Sequence, residues 1–301
     1  MNVIFIHGMN QQQQTAASLQ QHWLDILEQG LIQAHQQAAF PYFKKHAHMP
    51  FYGDLLTRYH LENTLNASTL MPQVWSHLPF FHPTHPLKQT KIINNNENIK
   101  KSIFYSKIFD ALKFSPTLKT FSAQSKDLVL HDFSFVLNYF PKLHASLLHK
   151  FLVETYLYLS NPHFIHAVHT RIHEQLHNHK TSVIVAHSLG SVIAYHFLLL
   201  HPELKIQRFI SLGSPLAFRV IQTYFPQPLQ HPDAILGDWI NFYSHDDFLS
   251  SFPLIKPTFD FKPAIINHQI RTDIHHPHDI QNYLQHPEVI QALLDTIKNS
   301  A

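Results

Sequence analysis

Two stretches between residues 171 and 197 carry side chains whose types and spacing could do chemistry. The first is His173-Glu174-x-x-His177. Two imidazoles one helical turn apart can bind a zinc ion, and a carboxylate between them can act as a general base. The second is Ala186-His187-Ser188-Leu189-Gly190. An apolar run, Ser182 to Ala186, precedes it, and a second, Val192 to Leu200, follows. That pattern reads as a buried strand, a sharp turn presenting Ser188, and an immediate helix. A serine held there can attack a carbonyl carbon. The residues two before and two after it must be small, because strand and helix converge at the turn. Ala186 and Gly190 meet that condition.

The zinc pattern is the weaker of the two. Catalytic zinc needs a third protein ligand. The longer metalloprotease pattern would place a Gly and a further His after His177, and both are missing. Glu203 fits only by spacing, in a segment, HPELK, that reads as a helix-to-strand connection. His166, His169, His173 and His177 form one stripe beside the apolar stripe of the same helix. The chain has 28 histidines, so that stripe reads as the His-rich flank of a packing helix, and a zinc metalloprotease at His173 and His177 is a minor alternative. His275-His276-x-His278 lacks a carboxylate or thiolate companion and reads no better as a metal site. No metal and no organic cofactor is expected.

A serine hydroxyl is a poor nucleophile at neutral pH. It needs an imidazole base, and the imidazole needs a carboxylate to fix its tautomer. Both partners should sit in loops at the carboxyl ends of strands. Asp246 and Asp247 follow the apolar run 239–243, whereas Asp238 precedes it, at the wrong end. His275, His276, His278 and His286 follow the last expected strand. A Ser, an Asp and a His in this order argue against a binding protein without catalysis.

The elements that must position these groups can be read in outline. Asn2 to Ile6 is a short, continuous apolar run that suits a strand buried on both faces of a parallel sheet. Leu19, Trp23, Ile26, Leu27, Leu31 and Ala34 mark a helix with Thr15 as N-cap. Residues 48–54 read as a second strand. Asn161-Pro162 opens a helix with core stripe Ile165, Val168, Ile172 and Leu176. Strand 182–186, helix 189–200, strands 207–212, 239–243 and 264–270, and a helix opened by Pro287 complete the rhythm. The expected fold class is α/β, a mostly parallel sheet flanked by helices. Residues 1–56 and 151–301 form its core, and residues 57–150, rich in Pro and aromatic residues, form an inserted helical cap or lid.

VIFIHGMN, PFYGDLL, VIVAHSLGSVIAY, FISLGSPL, INFYSHDDFLS and PHDIQNYLQHPEVI, in this order, resemble the α/β-hydrolase family, in particular its bacterial lipase- and esterase-like members. The resemblance covers most of the chain outside 57–150. Ala186 stands where glycine is more usual, a departure the turn permits. The resemblance implies a serine hydrolase acting on carboxylic esters through Ser188, Asp247 and His278. Asp247 is favoured because the family acid precedes a short apolar pair, here Phe248-Leu249. Asp246 is the alternative. His278 is favoured because an aromatic-Leu pair, Tyr283-Leu284, follows it. The backbone N–H groups of Met9 and Leu189 would form the oxyanion hole. Thioesterase, amidase or acyltransferase chemistry on the same fold is the other reading.

Composition narrows the partners. A formal net charge of +2 over 301 residues gives no electrostatic case for nucleic acid. The absence of cysteine removes disulfides, thiolate metal sites and a Cys nucleophile. Polar residues interrupt the longest apolar run, so no transmembrane segment is expected, and the first residues lack signal-peptide features. The expected location is the cytoplasm, or outside the cell by signal-less export. The expected partner is a small-molecule or lipid ester, its acyl chain held by the aromatic residues of 57–150.

Overall fold

The computed structural model describes residues 1–56, 145–176 and 181–298. The expected cap, with its aromatic residues, lies outside the described residues apart from 145–150. The chain runs β1 (Asn2–Ile6), α1 (Ala16–Gln33), α2 (Phe40–His46), β2 (Ala47–His48), α3 (Ala145–Ser160) and α4 (Pro162–Gln175). It continues with β3 (Ser182–His187), α5 (Leu189–Leu200), β4 (Ile206–Leu212), α6 (Arg219–Gln222), β5 (Ile235–Tyr243), β6 (Ile266–Gln269), α7 (Ile280–Leu284) and α8 (Pro287–Lys298). The helix α3 runs unbroken across 150/151, where the core was expected to resume.

Six strands form one parallel sheet in the order β2-β1-β3-β4-β5-β6. Every residue of β1 and β3 is buried, which is why both read as unbroken apolar runs. Alternation along them divides the core in two. Ile4, Ile6, Ile184 and Ala186 face one layer, packed with residues of α3, α4 and α5. Val3, Phe5, Val183 and Val185 face the other, with residues of α1, α7 and α8. The result is an α/β three-layer arrangement. Among the described residues no helix is long and apolar enough to cross a membrane.

Local signals explain several boundaries. Thr15 accepts from Ser18 N at 3.1 Å while Ser18 Oγ accepts from Thr15 N at 2.9 Å, a capping box that starts α1. Asn161 caps α4 through Phe164 N at 3.0 Å. The buried face of α4 is Phe164, Val168, His169 and Ile172, with Ile165 only partly covered. The expected stripe was therefore rotated by one residue at its start. The second strand is two residues long rather than spanning 48–54. Pro50 has no N–H to extend the ladder. Beyond it, Tyr52 gives its backbone N–H to His7 Nε2 at 3.2 Å and its hydroxyl to the His7 carbonyl oxygen, and residues 53–56 turn helical.

Strand order reverses direction at β1: β2 lies on one side and all later strands on the other. The loops that leave β1 and β3 therefore flank the switch point at the carboxyl edge, where open α/β sheets bind ligands. The pairing Ile6↔Ala186 brings residues 7–12 beside Ser188.

Candidate active site

Ser188 follows β3 directly and N-caps α5 with φ 56° and ψ −131°. A side chain at positive φ is strained, typically by about 1–3 kcal/mol, and persists only where its surroundings enforce it. They do so here. The Ser188 N–H donates to Leu212 O at 3.0 Å. Its carbonyl oxygen accepts from Ser191 N at 2.9 Å and from Ser191 Oγ at 2.6 Å, and Ser191 Oγ also meets Ser214 Oγ at 2.7 Å. Two glycines make room. A Cβ at Gly190 would lie 2.4 Å from the carbonyl oxygens of Ile6 and His7, so helix α5 can pass the end of β1 only with glycine there. A Cβ at Gly8 would lie 2.7 Å from Ser188 Cβ and 3.3 Å from its Oγ.

The structure brings together the three side chains singled out in the sequence. Ser188 Oγ lies 2.7 Å from His278 Nε2, and His278 Nδ1 lies 2.7 Å from Asp247 Oδ2. A carboxylate accepts only, so Nδ1 carries the proton and Nε2 is free to receive one from the hydroxyl. Asp247 and His278 are buried, whereas Asp246, His275 and His276 are exposed. The turn after β5 points adjacent carboxylates in opposite directions, and only Asp247 points inward. His286 caps the approach to α8 and bonds Glu288 N instead.

A fully buried carboxylate is costly unless its oxygens are bonded. Asp247 Oδ1 accepts from Leu249 N at 3.0 Å, and Oδ2 accepts from Ser250 Oγ at 3.0 Å and from the Tyr283 hydroxyl as well as from His278. Burial and the Asp247 charge hold the Tyr283 phenol well above its usual pKa, so it stays a donor. His187 packs against His278 with ring centroids 4.8 Å apart. Burial, and then the neighbouring His278, keep His187 neutral, well below the ordinary histidine range.

Residues 7–12, which include the expected oxyanion-hole donor Met9, lie beside Ser188. Leu189 opens α5, so its N–H belongs to the first turn, which has no intrahelical acceptor. Met9 follows Gly8 and is buried with it. The carboxylate of Glu154, on α3, clasps this loop. It accepts from Asn10 N at 3.0 and 3.2 Å and from Gln12 Nε2 at 2.6 Å. Asn10 is itself at φ 63°. His7, at the base of the loop, bonds Gly8 O through Nδ1 at 2.8 Å, and burial lowers its pKa to about 4. Neither Glu154 nor Tyr283 was singled out for chemistry from sequence. A signal for Glu154 existed: a carboxylate within the apolar helical run KFLVETYLYL.

The other pattern is not assembled as written. His177 lies outside the described residues, and Glu174 is exposed. His173 instead faces His201 and Glu203, beyond the opposite end of α5 from Ser188. Comparison of the chain with protein-family models, with curated proteins and with solved structures finds no match to any of them.

Proposed function

We propose that this chain is a serine hydrolase of the α/β-hydrolase type that cleaves carboxylic esters through an acyl-enzyme. The observation that carries the reading is the hydrogen-bonded line Asp247–His278–Ser188, with its serine at a positive φ between a central strand and a helix. Ser188 Oγ attacks the ester carbonyl carbon and passes its proton to His278 Nε2. Asp247 stabilises the imidazolium through Nδ1. The N–H groups of Met9 and Leu189 receive the developing oxyanion, and His278 returns the proton to the departing alcohol. Water, activated by the same imidazole, then releases the acid and restores Ser188.

A strained strand-turn-helix serine at the top of a parallel sheet, with acid and base following in the order Asp then His, is the arrangement of that fold. Fluorophosphonate labelling followed by peptide mapping tests the serine. Hydrolysis of p-nitrophenyl esters of graded chain length tests the substrate class. The expected result is label on Ser188 and a kcat/KM that rises from acetyl towards medium chains, since each buried CH₂ contributes about 0.8 kcal/mol. An unlabelled Ser188 in folded protein rejects the proposal.

A further inference from the structure

We propose that His173, His201 and Glu203 form a zinc site that ties the end of α4 to the turn between α5 and β4. One ligand atom from each side chain lies within 4.8 Å of the other two. Tetrahedral zinc, with bonds of about 2.0–2.2 Å, holds its ligand atoms about 3.3 Å apart. His201 Nδ1 and Glu203 Oε1 already stand 3.0 Å apart, and the remaining separations close with side-chain shifts of about 1.5 Å or less. His173 and His201 are partly exposed and Glu203 is exposed, so those shifts meet little packing and the ion enters from solvent.

Several features make the cluster a built site rather than a chance meeting. His201 and Glu203 flank Pro202, which limits the backbone between them. The His201 ring packs on Phe197 at 4.3 Å, which fixes its plane. The His173 ring lies 5.5 Å from it, on a different helix. Two imidazoles and a carboxylate form a donor set for late first-row ions rather than for calcium or magnesium. Zinc takes three such ligands and fills its fourth position with water.

The site stands apart from the proposed chemistry. Ser188 and His201 cap opposite ends of α5, a 12-residue helix, which puts about 18 Å of helix between them. An ion there cannot polarise a substrate at Ser188. Its effect is on the fold: it crosslinks two segments 28 positions apart in sequence, and binding to the folded state alone stabilises it by mass action. The sequence pairs His173 by spacing with His177, with Glu203 as a third ligand by spacing only; His201 is not singled out there. The proposal does not depend on the function proposed for Ser188.

The test uses full-length, tag-free protein stripped with EDTA and then titrated with ZnCl₂, read by equilibrium dialysis and by thermal unfolding. One tightest equivalent of zinc is expected, with a rise in Tm on the order of 5 °C at a hundredfold excess over Kd. His173→Asn and His201→Asn should each abolish that equivalent and the rise. Glu203→Gln, at an exposed position where misfolding is not expected, should weaken binding at least tenfold. His275→Asn/His276→Asn, on an exposed turn, should change neither. Loss of the equivalent in the ligand variants only supports the site. Zinc bound equally by His201→Asn or Glu203→Gln, or no Tm rise in the wild-type protein, overturns it.

Discussion

At the N-terminal end of α5, His278 touches a hydroxyl on one side and a buried carboxylate on the other. Towards the C-terminal end, His169 and His196 both bond the hydroxyl of buried Tyr158, at 2.8 and 3.0 Å, while His201 meets the exposed Glu203. Both ends gather imidazoles. Only the first gives one a buried acid that fixes its tautomer and a strained serine within reach of its free nitrogen. At the second end burial, with the mutual repulsion of neighbouring imidazoles for His169, simply makes protonation unfavourable. The pKa falls to about 3 for His169 and to about 4 for His196. A histidine becomes a base through its two partners, not through belonging to a cluster.

The sharpest way to break this contrast is to remove the nucleophile. Ser188→Ala should lower kcat on a p-nitrophenyl ester by roughly 10⁴–10⁶, with the unfolding midpoint preserved. Turnover close to wild type would show that hydrolysis does not pass through the first end of α5. Next in size is the acid. Asp247→Asn should cost about 10⁴ in kcat by releasing the wrong His278 tautomer, while Asp246→Asn, exposed, should change the rate a few-fold at most. Equal losses in the two variants would mean that burial does not select the acid.

Acid should weaken the fold. His7, His169, His187 and His196 all have folded pKa values below the unfolded 6.5, so the unfolded chain binds more protons. Stability is full above pH 6.5, falls as pH drops through 6.5, and goes on falling until about pH 4 or below. For His7 the difference between 6.5 and about 4 is worth about 3 kcal/mol at the acid limit. A Tm measured from pH 7.5 to 4.5 should decline steadily, and a flat profile would show that these imidazoles are not buried in the neutral form. The smallest effect concerns Glu154. Glu154→Gln keeps the shape but weakens the charge-assisted bonds to Asn10 and Gln12. It should lower kcat about tenfold with KM little changed, if the displaced loop holds the proposed oxyanion donor Met9. A change confined to KM would assign the loop to substrate binding instead.

Much of this arrangement is legible in the chain because its central strands are buried on both faces. β1 and β3 read as apolar runs for that reason, and Thr15 and Asn161 announce their helices through their own side-chain bonds. The second strand misled because Met49 to Tyr52 is as apolar as a strand. Phe51 and Tyr52 meet His7 instead, a tertiary contact that no local pattern carries. β5 begins earlier than 239, at Ile235, and Gly237 within it lies against the Gln207 carbonyl oxygen, a cross-strand approach that no local pattern carries. Asp247 could be preferred over Asp246 only through the resemblance, since adjacent residues in a turn differ in direction and not in kind. Glu154 contacts a loop 144 positions away in sequence, so its purpose could not be read locally.

The two carbonyl oxygens that crowd Gly190 set a limit on how this site could be altered by selection. Randomising position 190 in a library screened for turnover should return glycine almost alone, because any larger residue pushes the tip of β1 and with it the segment proposed to receive the oxyanion. The spacing between Ser188 and the loop after β1 is thus inherited as one unit. New specificity would have to arise elsewhere, in parts of the chain that can vary without disturbing that spacing.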